Sequence, residues 1–265
     1  VSLMKNPKYV ILSGCSFCEY DEKYYSKESQ NMGVLFSSEV GAQLINLSES
    51  GASIDFIVTK TLEWIKKNPK KISSTLFLIG LPARNRLMFW QNNPLESHNG
   101  YQNCHHIHFY DGNDRNLSNA IYKWPAEQQI LYARNFLNTY VIRERYNDLV
   151  LLLQNFFSNQ KLEHLFFNTS ISKESLTTNH MDYVNEGPVD FSGDETPLHE
   201  VENFHNSVPH LDKKFFYTDS KYFSMVDSVR NNSEFVCPDG YHTNEKGQEY
   251  WAKALLKYYK LNFNV

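Results

Sequence analysis

The chain has 265 residues, 41% hydrophobic, 15% aromatic and 21% charged, with a formal net charge of −4. That length and apolar content suit one large domain with a sizeable core, and the charge balance excludes the clustered basic face that nucleic-acid binding needs. No apolar run approaches the roughly 20 residues of a membrane span, no secretory leader is visible, and Cys15, Cys18, Cys104 and Cys237 describe no disulfide framework, so a reducing, cytoplasmic setting is expected.

Four β-formers, Tyr9-Val10-Ile11-Leu12, lead straight into Ser13-Gly14-Cys15-Ser16, which predicts a buried strand ending in a tight turn that presents Ser16. Residues 19–30 are polar and read as a surface loop. Met32, Leu35, Phe36 and Val40 then recur at helical spacing, with Gly41 as a stop. A short second strand over residues 44–47 runs into the small-residue stretch 48–53. Ile54, Ile57, Val58, Leu62 and Ile65 form the apolar face of a second helix, closed by Asn68-Pro69. Lys66, Lys67, Lys70 and Lys71 lie at its end, where cations complement the helix dipole.

Residues 75–79 are a third strand, ending at Gly80. Residues 81–108 read as irregular, and 92–124 as a long insertion. Helical patterning resumes over 128–157, with a break near Asn147-Asp148, and residues 164–168 are a fourth strand. Residues 172–209 are a second polar insertion, and 215–217 a short edge strand. From Asn244 a last helix places Gly247, Trp251, Leu255 and Tyr258 on one face. Strands that end in small-residue turns and alternate with helices predict βαβ units and a parallel sheet, here in a single domain spanning 1–265.

The chemistry-bearing residues fall at the ends of these elements. A serine hydroxyl is a weak nucleophile that needs an imidazole base, and the base needs an acid to fix its tautomer. Ser16 follows a strand and a glycine. Asp239-Gly240-Tyr241-His242, just before the last helix, brings an acid and an imidazole into one loop. Gly51, after the second strand, offers a backbone N–H for the oxyanion that forms on acyl transfer. Singly, each has an ordinary reading as a turn residue; together, in this order, they suggest a hydrolytic triad.

The arrangement resembles the SGNH (GDSL-type) hydrolase family. Its first block, strand–Gly-Asp-Ser, is matched by Ser13-Gly14-Cys15-Ser16-Phe17, with Cys15 for the usual Asp. Its second is matched from Asn46 to Gly51-Ala52-Ser53. Its last, Asp-x-x-His before a helix, is matched by Asp239 to His242 with Asn244 and Gly247 downstream. The matched blocks lie within about residues 9–80 and 235–258. The resemblance implies a three-layer α/β/α, flavodoxin-like domain. It also implies that Ser16 is the nucleophile, His242 the base and Asp239 its partner, with Ser16 and Gly51 N–H as oxyanion donors. The third block, Gly-x-Asn-Asp, departs: Gly80-Leu81-Pro82-Ala83-Arg84-Asn85-Arg86 puts Pro82 at the oxyanion asparagine, leaving Asn85 as the replacement donor, or Arg84 or Arg86 in its place.

Other groups were weighed beside these. Cys15-Ser-Phe-Cys18 has the spacing of a redox pair but lacks its usual flanking residues. Cys104-His105-His106-Ile107-His108, with His98 nearby, fits no closed zinc site, and Asp111-Gly-Asn-Asp114 lacks the later acidic position of a calcium loop. No metal and no cofactor is assigned. Trp90 and the other aromatics of the first insertion suit stacking on sugar rings, and Arg84 and Arg86 suit polar substrate contacts. The expected activity is hydrolysis of a small-molecule or glycan ester, most plausibly a carbohydrate O-acetyl group, with a catalytically weak glycan-binding protein as the alternative.

Overall fold

The computed structural model describes residues 7–20, 27–83, 86–90, 104–108, 139–170, 211–217 and 221–263. Strand β1 (Tyr9–Ser13) pairs in parallel with β2 (Gln43–Asn46) on one side and β3 (Thr75–Leu81) on the other. Farther on, β3 pairs in parallel with a later strand, Glu163–Asn168, called β6 below. The strand β1 therefore sits where the chain first steps one way and then back across itself.

That reversal decides where the helices go. Helix α1 (Met32–Glu39) joins β1 to β2, and α2 (Ile54–Lys67) joins β2 to β3 in the opposite direction. Right-handed crossovers in opposite directions put the two helices on opposite faces of the sheet. A third helix, α3 (Thr139–Asn159), precedes β6 and packs against α2. The last helix packs against α1; after the short α4 (Met225–Asn231) it is α5 (Glu245–Phe263). A parallel sheet covered on both faces needs apolar residues at every position. Accordingly β3 is buried from end to end, and Val10, Ile11, Leu12, Leu165, Phe166 and Phe167 are fully buried.

Local chemistry fixes the element ends. Asn31 caps α1 by accepting from Gly33 N–H at 2.8 Å, and Gly41 leaves the helix at φ 68°, the left-handed region that favours glycine. Ser53 caps α2, whose last turn carries Lys66 and Lys67. Asp55 in its first turn pairs with Arg145 of α3 at 2.6 Å, pinning the two helices of that face.

Several sequence expectations change. Strand β3 does not stop before Gly80 but runs to Leu81, because β6 keeps pairing with it as far as Leu81 opposite Asn168. Residues 81–108 are not irregular throughout: β4 (Arg86–Trp90) and β5 (Cys104–His108) form an antiparallel pair, with Arg86 opposite His108 and Trp90 opposite Cys104. Helix α3 is unbroken at Asn147-Asp148. Burial of Tyr146, Val150, Leu153 and Phe157 at helical spacing outweighs the few tenths of a kcal/mol that Asn and Asp cost inside a helix. Residues 213–215 form a 3-10 turn in place of an edge strand, and only Phe216 bridges to Phe166. In α5 the buried aromatics are Trp251, Tyr259 and Phe263, with Tyr258 half-buried. The rest of the two insertions, and residues 128–138, lie outside the described residues.

At the start of β6, His164 is fully buried, with Nδ1 2.9 Å from the Leu162 carbonyl and its ring stacked on Phe215 at 4.0 Å between centroids. Burial lowers its pKa from 6.5 to about 4, although the Leu162 carbonyl and Asp212 oppose the shift. Below about pH 6.5 the unfolded chain takes up a proton that the folded chain refuses, so stability falls as pH drops from about 6.5 to about 4, by ~3 kcal/mol in total. Urea unfolding between pH 7.5 and 4 should show this loss in the wild type and a shallower one in His164→Phe. Equal pH dependence in the two proteins would contradict it.

Candidate active site

The carboxyl end of β1 opens at the switch between β2 and β3, where ligands bind in open parallel sheets. Residues 15–19 turn helically there: Cys15 carbonyl accepts from Cys18 N–H at 2.8 Å and from Glu19 N–H at 3.1 Å. Ser16 rides on this turn and is nearly buried. Its Oγ lies 2.9 Å from His242 Nε2, and His242 Nδ1 lies 2.6 Å from Asp239 Oδ2. Residues 226 positions apart thus form one continuous hydrogen-bonded line.

The loop carrying the acid and imidazole is rigid by its own bonding. Asp239 Oδ1 accepts from Tyr241 N–H at 2.9 Å and His242 N–H at 3.0 Å, so one carboxylate holds both the backbone and the ring. Gly240 turns the chain at φ 75°. Cys237 N–H donates to His242 carbonyl, and Val236 bridges to Thr243. Phe17 and Tyr241 flank the imidazole at 5.1 and 4.9 Å between ring centroids.

Burial pushes the Asp239 carboxyl up, but the hydrogen bonds from the His242 side chain and the Tyr241 and His242 amides, with the imidazole's charge, outweigh it. The net pKa is lowered. An ionised Asp239 only accepts, so Nδ1 carries the imidazole proton and Nε2 turns a lone pair toward the Ser16 hydroxyl. That is the tautomer a general base requires. Nearby Cys237 is pushed up to about 12 by burial and by Asp239 and Glu245, and stays a thiol.

The oxyanion side is less complete. Among the described residues the peptide N–H of Ser16 has no hydrogen-bond acceptor. Gly51 sits at φ 76° in the loop after β2, and Glu49 N–H of that loop donates to Gly14 carbonyl at 3.2 Å. This bond ties the loop to the Ser16 turn. The segment after β3 supplies no donor over its first two residues: Pro82 has no N–H, and Ala83 N–H is taken up by Ser170 Oγ at 3.0 Å. Arg84 and Asn85 lie outside the described residues. Arg86 and Trp90 are the end residues of β4.

Cys15 points away from this line. Thr169 Oγ1 donates to Leu81 carbonyl at 2.7 Å, so the Cys15 thiol, 3.2 Å from the same oxygen, is the donor to it. Cys15 and Cys18 are free, fully buried thiols, and burial next to Cys15 raises the Cys18 pKa well above its ordinary value. They are packing groups, not a reactive pair. The His105–His108 run lies in β5, and no group of three metal-ligating side chains occurs among the described residues.

No protein-family profile and no curated protein matches the sequence. Solved structures do match, over nearly the whole chain. TesA superposes with a TM-score of 0.51 at 10% identity, covering 96% of this chain and 99% of its own. Esterase EstA from Pseudoalteromonas sp. gives 0.49 at 10%, covering 97% and 100%. A member of the lipolytic G-D-S-L family from Veillonella parvula gives 0.44 at 11%, covering 94% and 96%. The chain shares with TesA an α/β fold built on a parallel four-stranded sheet flanked by helices. At such identity the likeness concerns the fold alone.

Three groups of supporting residues, apart from Asn46 at the start of the second block, were not singled out in the sequence. Asn31 and Asn46 both donate to Cys18 carbonyl, at 3.1 and 2.9 Å, and Gln248 donates to Phe17 carbonyl at 3.0 Å. Thr169 and Ser170, after β6, tie the ends of β3 and β1 together. Their signals were present: an Asn one residue before a helix, a Gln within an apolar helix stripe, and small hydroxyl residues after a strand.

The Ser16 turn also depends on Gly14. A Cβ there would lie 2.6 Å from Cys18 Sγ. Gly14→Ala should cost about 1–3 kcal/mol in urea unfolding. The double variant Gly14→Ala/Cys18→Ala should recover a large part of that loss. Strict additivity of the two single changes would show that the crowding lies elsewhere.

Proposed function

We propose that the chain is a serine esterase in which Ser16 is the nucleophile, His242 the general base and Asp239 its orienting acid. The observation that supports this most is the unbroken line from Asp239 Oδ2 through the imidazole to Ser16 Oγ, with both bonds at hydrogen-bonding distance. The proposed reaction runs in two halves. Ser16 Oγ attacks the ester carbonyl as its proton passes to His242 Nε2. The resulting oxyanion is met by the N–H groups of Ser16 and Gly51. Collapse breaks the bond to the alkoxy group, which leaves as the alcohol with the proton from Nε2. A water molecule then gives a proton to Nε2 and attacks the acyl-serine, releasing the acid and restoring Ser16. Asp239 stays ionised throughout and steadies the imidazolium.

The substrate proposed is an O-acetyl group on a carbohydrate. Support comes from the polar, aromatic-rich character of the insertion around Trp90 and from the absence in the sequence of a Leu, Ile and Val-rich lid. Arg84, Arg86 and Trp90 are the substrate-contacting residues in this reading. Among the described residues no helix is long and apolar enough to cross a membrane. With Pro82 and Ala83 unable to donate, Asn85 is proposed as the third oxyanion donor. A second reading, a glycan-binding protein of weak activity, follows if that donor is missing.

Hydrolysis of p-nitrophenyl acetate decides between them. The wild type should turn over, Ser16→Ala should lose about 10³-fold or more, and Asp239→Asn about 10⁴-fold through the wrong imidazole tautomer. Asn85→Ala should lose about 10²–10³-fold. A wild type no faster than Ser16→Ala, and no labelling of Ser16 by a fluorophosphonate, would overturn the esterase reading.

A further inference from the structure

Gln248 is a polar side chain with no solvent exposure, one turn into α5. Its Oε1 accepts from Met32 N–H at 2.9 Å, and its Nε2 donates to Phe17 carbonyl at 3.0 Å and to Thr243 Oγ1 at 2.6 Å. The amide has one workable orientation. Met32 N–H can only donate and Phe17 carbonyl can only accept, so oxygen and nitrogen cannot exchange places. Phe17 follows Ser16 in the chain, and Thr243 follows His242. A single buried amide therefore holds both of the residues next to the two that must meet.

We propose that Gln248 is a positioning residue that sets the separation of Ser16 Oγ and His242 Nε2. The inference rests on the esterase reading above and adds a residue to it. Other contacts do not replace this clamp. Asn31 and Asn46 grip the turn at Cys18, and Asn244 fixes the far strand of the histidine loop through Glu234 and Val236 carbonyls. Apart from the His242–Ser16 bond itself, Gln248 is, of the contacts described above, the side chain that hydrogen-bonds to residues from both segments. A displacement of about 1 Å between reacting groups is enough to cost roughly 10²-fold in rate.

The Thr243 arm can be cut without adding charge. Thr243→Val removes the hydroxyl at nearly constant volume, and Thr243→Ser keeps it. With p-nitrophenyl acetate, Gln248→Met and Thr243→Val should each lower kcat about 10–100-fold with KM within about threefold. Thr243→Ser should stay within about threefold of the wild type in both. The ¹⁵N resonances of the His242 ring, which report its two hydrogen bonds, should move in Thr243→Val and return in Thr243→Ser. Unchanged kcat and unchanged ring resonances in folded Thr243→Val would overturn the proposal. A wild type without turnover, but with ring resonances that respond to Thr243→Val, would sink the esterase reading and leave the clamp standing.

Discussion

The constraint on which the site depends is the satisfaction of carbonyl groups in the turn after β1. A parallel strand that stops at the middle of a sheet leaves its next few peptide groups without partners, and buried peptide groups must find some. Here backbone N–H groups meet the Gly14 and Cys15 carbonyls, and side chains from elsewhere in the chain meet those of Phe17 and Cys18. Asn31 and Asn46 donate to Cys18 carbonyl, and Gln248 donates to Phe17 carbonyl. With the carbonyls directed inward to these amides, Ser16 is left with its hydroxyl on His242 and its N–H without an acceptor among the described residues. The chemistry proposed for Ser16 is a consequence of where its neighbours' oxygens are held.

The same economy runs through the histidine loop. Asp239 uses one carboxylate oxygen to close the backbone turn and the other to orient the imidazole. A change at Asp239 therefore alters the loop's shape and the base's tautomer at once. Cys15 has an analogous place on the opposite side of the turn. It donates to Thr169, whose own hydroxyl reaches Leu81, so the residue before Ser16 is bonded toward the end of β3.

Much of this was legible in the sequence because it depends on short-range rules. The strand–Gly-Cys-Ser turn, the Gly41 and Gly51 stops and the Asp-x-x-His loop are set by local backbone preference, and each lies where the residue pattern puts it. The elements misread are those decided by distant partners. Gly80 lies within β3 because β6, some 80 residues on, continues to pair with it. Asn147-Asp148 does not break α3 because the helix's buried face outweighs local propensity. Gln248 looks like any helix residue until its two distant partners, Phe17 and Met32, are seen around it. The stretch after Gly80 was less legible for a related reason: Pro82 stands where the family pattern has a donor, and no local rule names a substitute.

The central claim is that Ser16 carries the acyl group between two half-reactions. Mass spectrometry of the protein quenched in acid during turnover of p-nitrophenyl acetate tests it most directly. The expected result is a single acetyl group on the peptide containing Ser16, absent from Ser16→Ala and accumulating more slowly in His242→Ala. Turnover without acetylation of that peptide, or equal acetylation in Ser16→Ala, would contradict it.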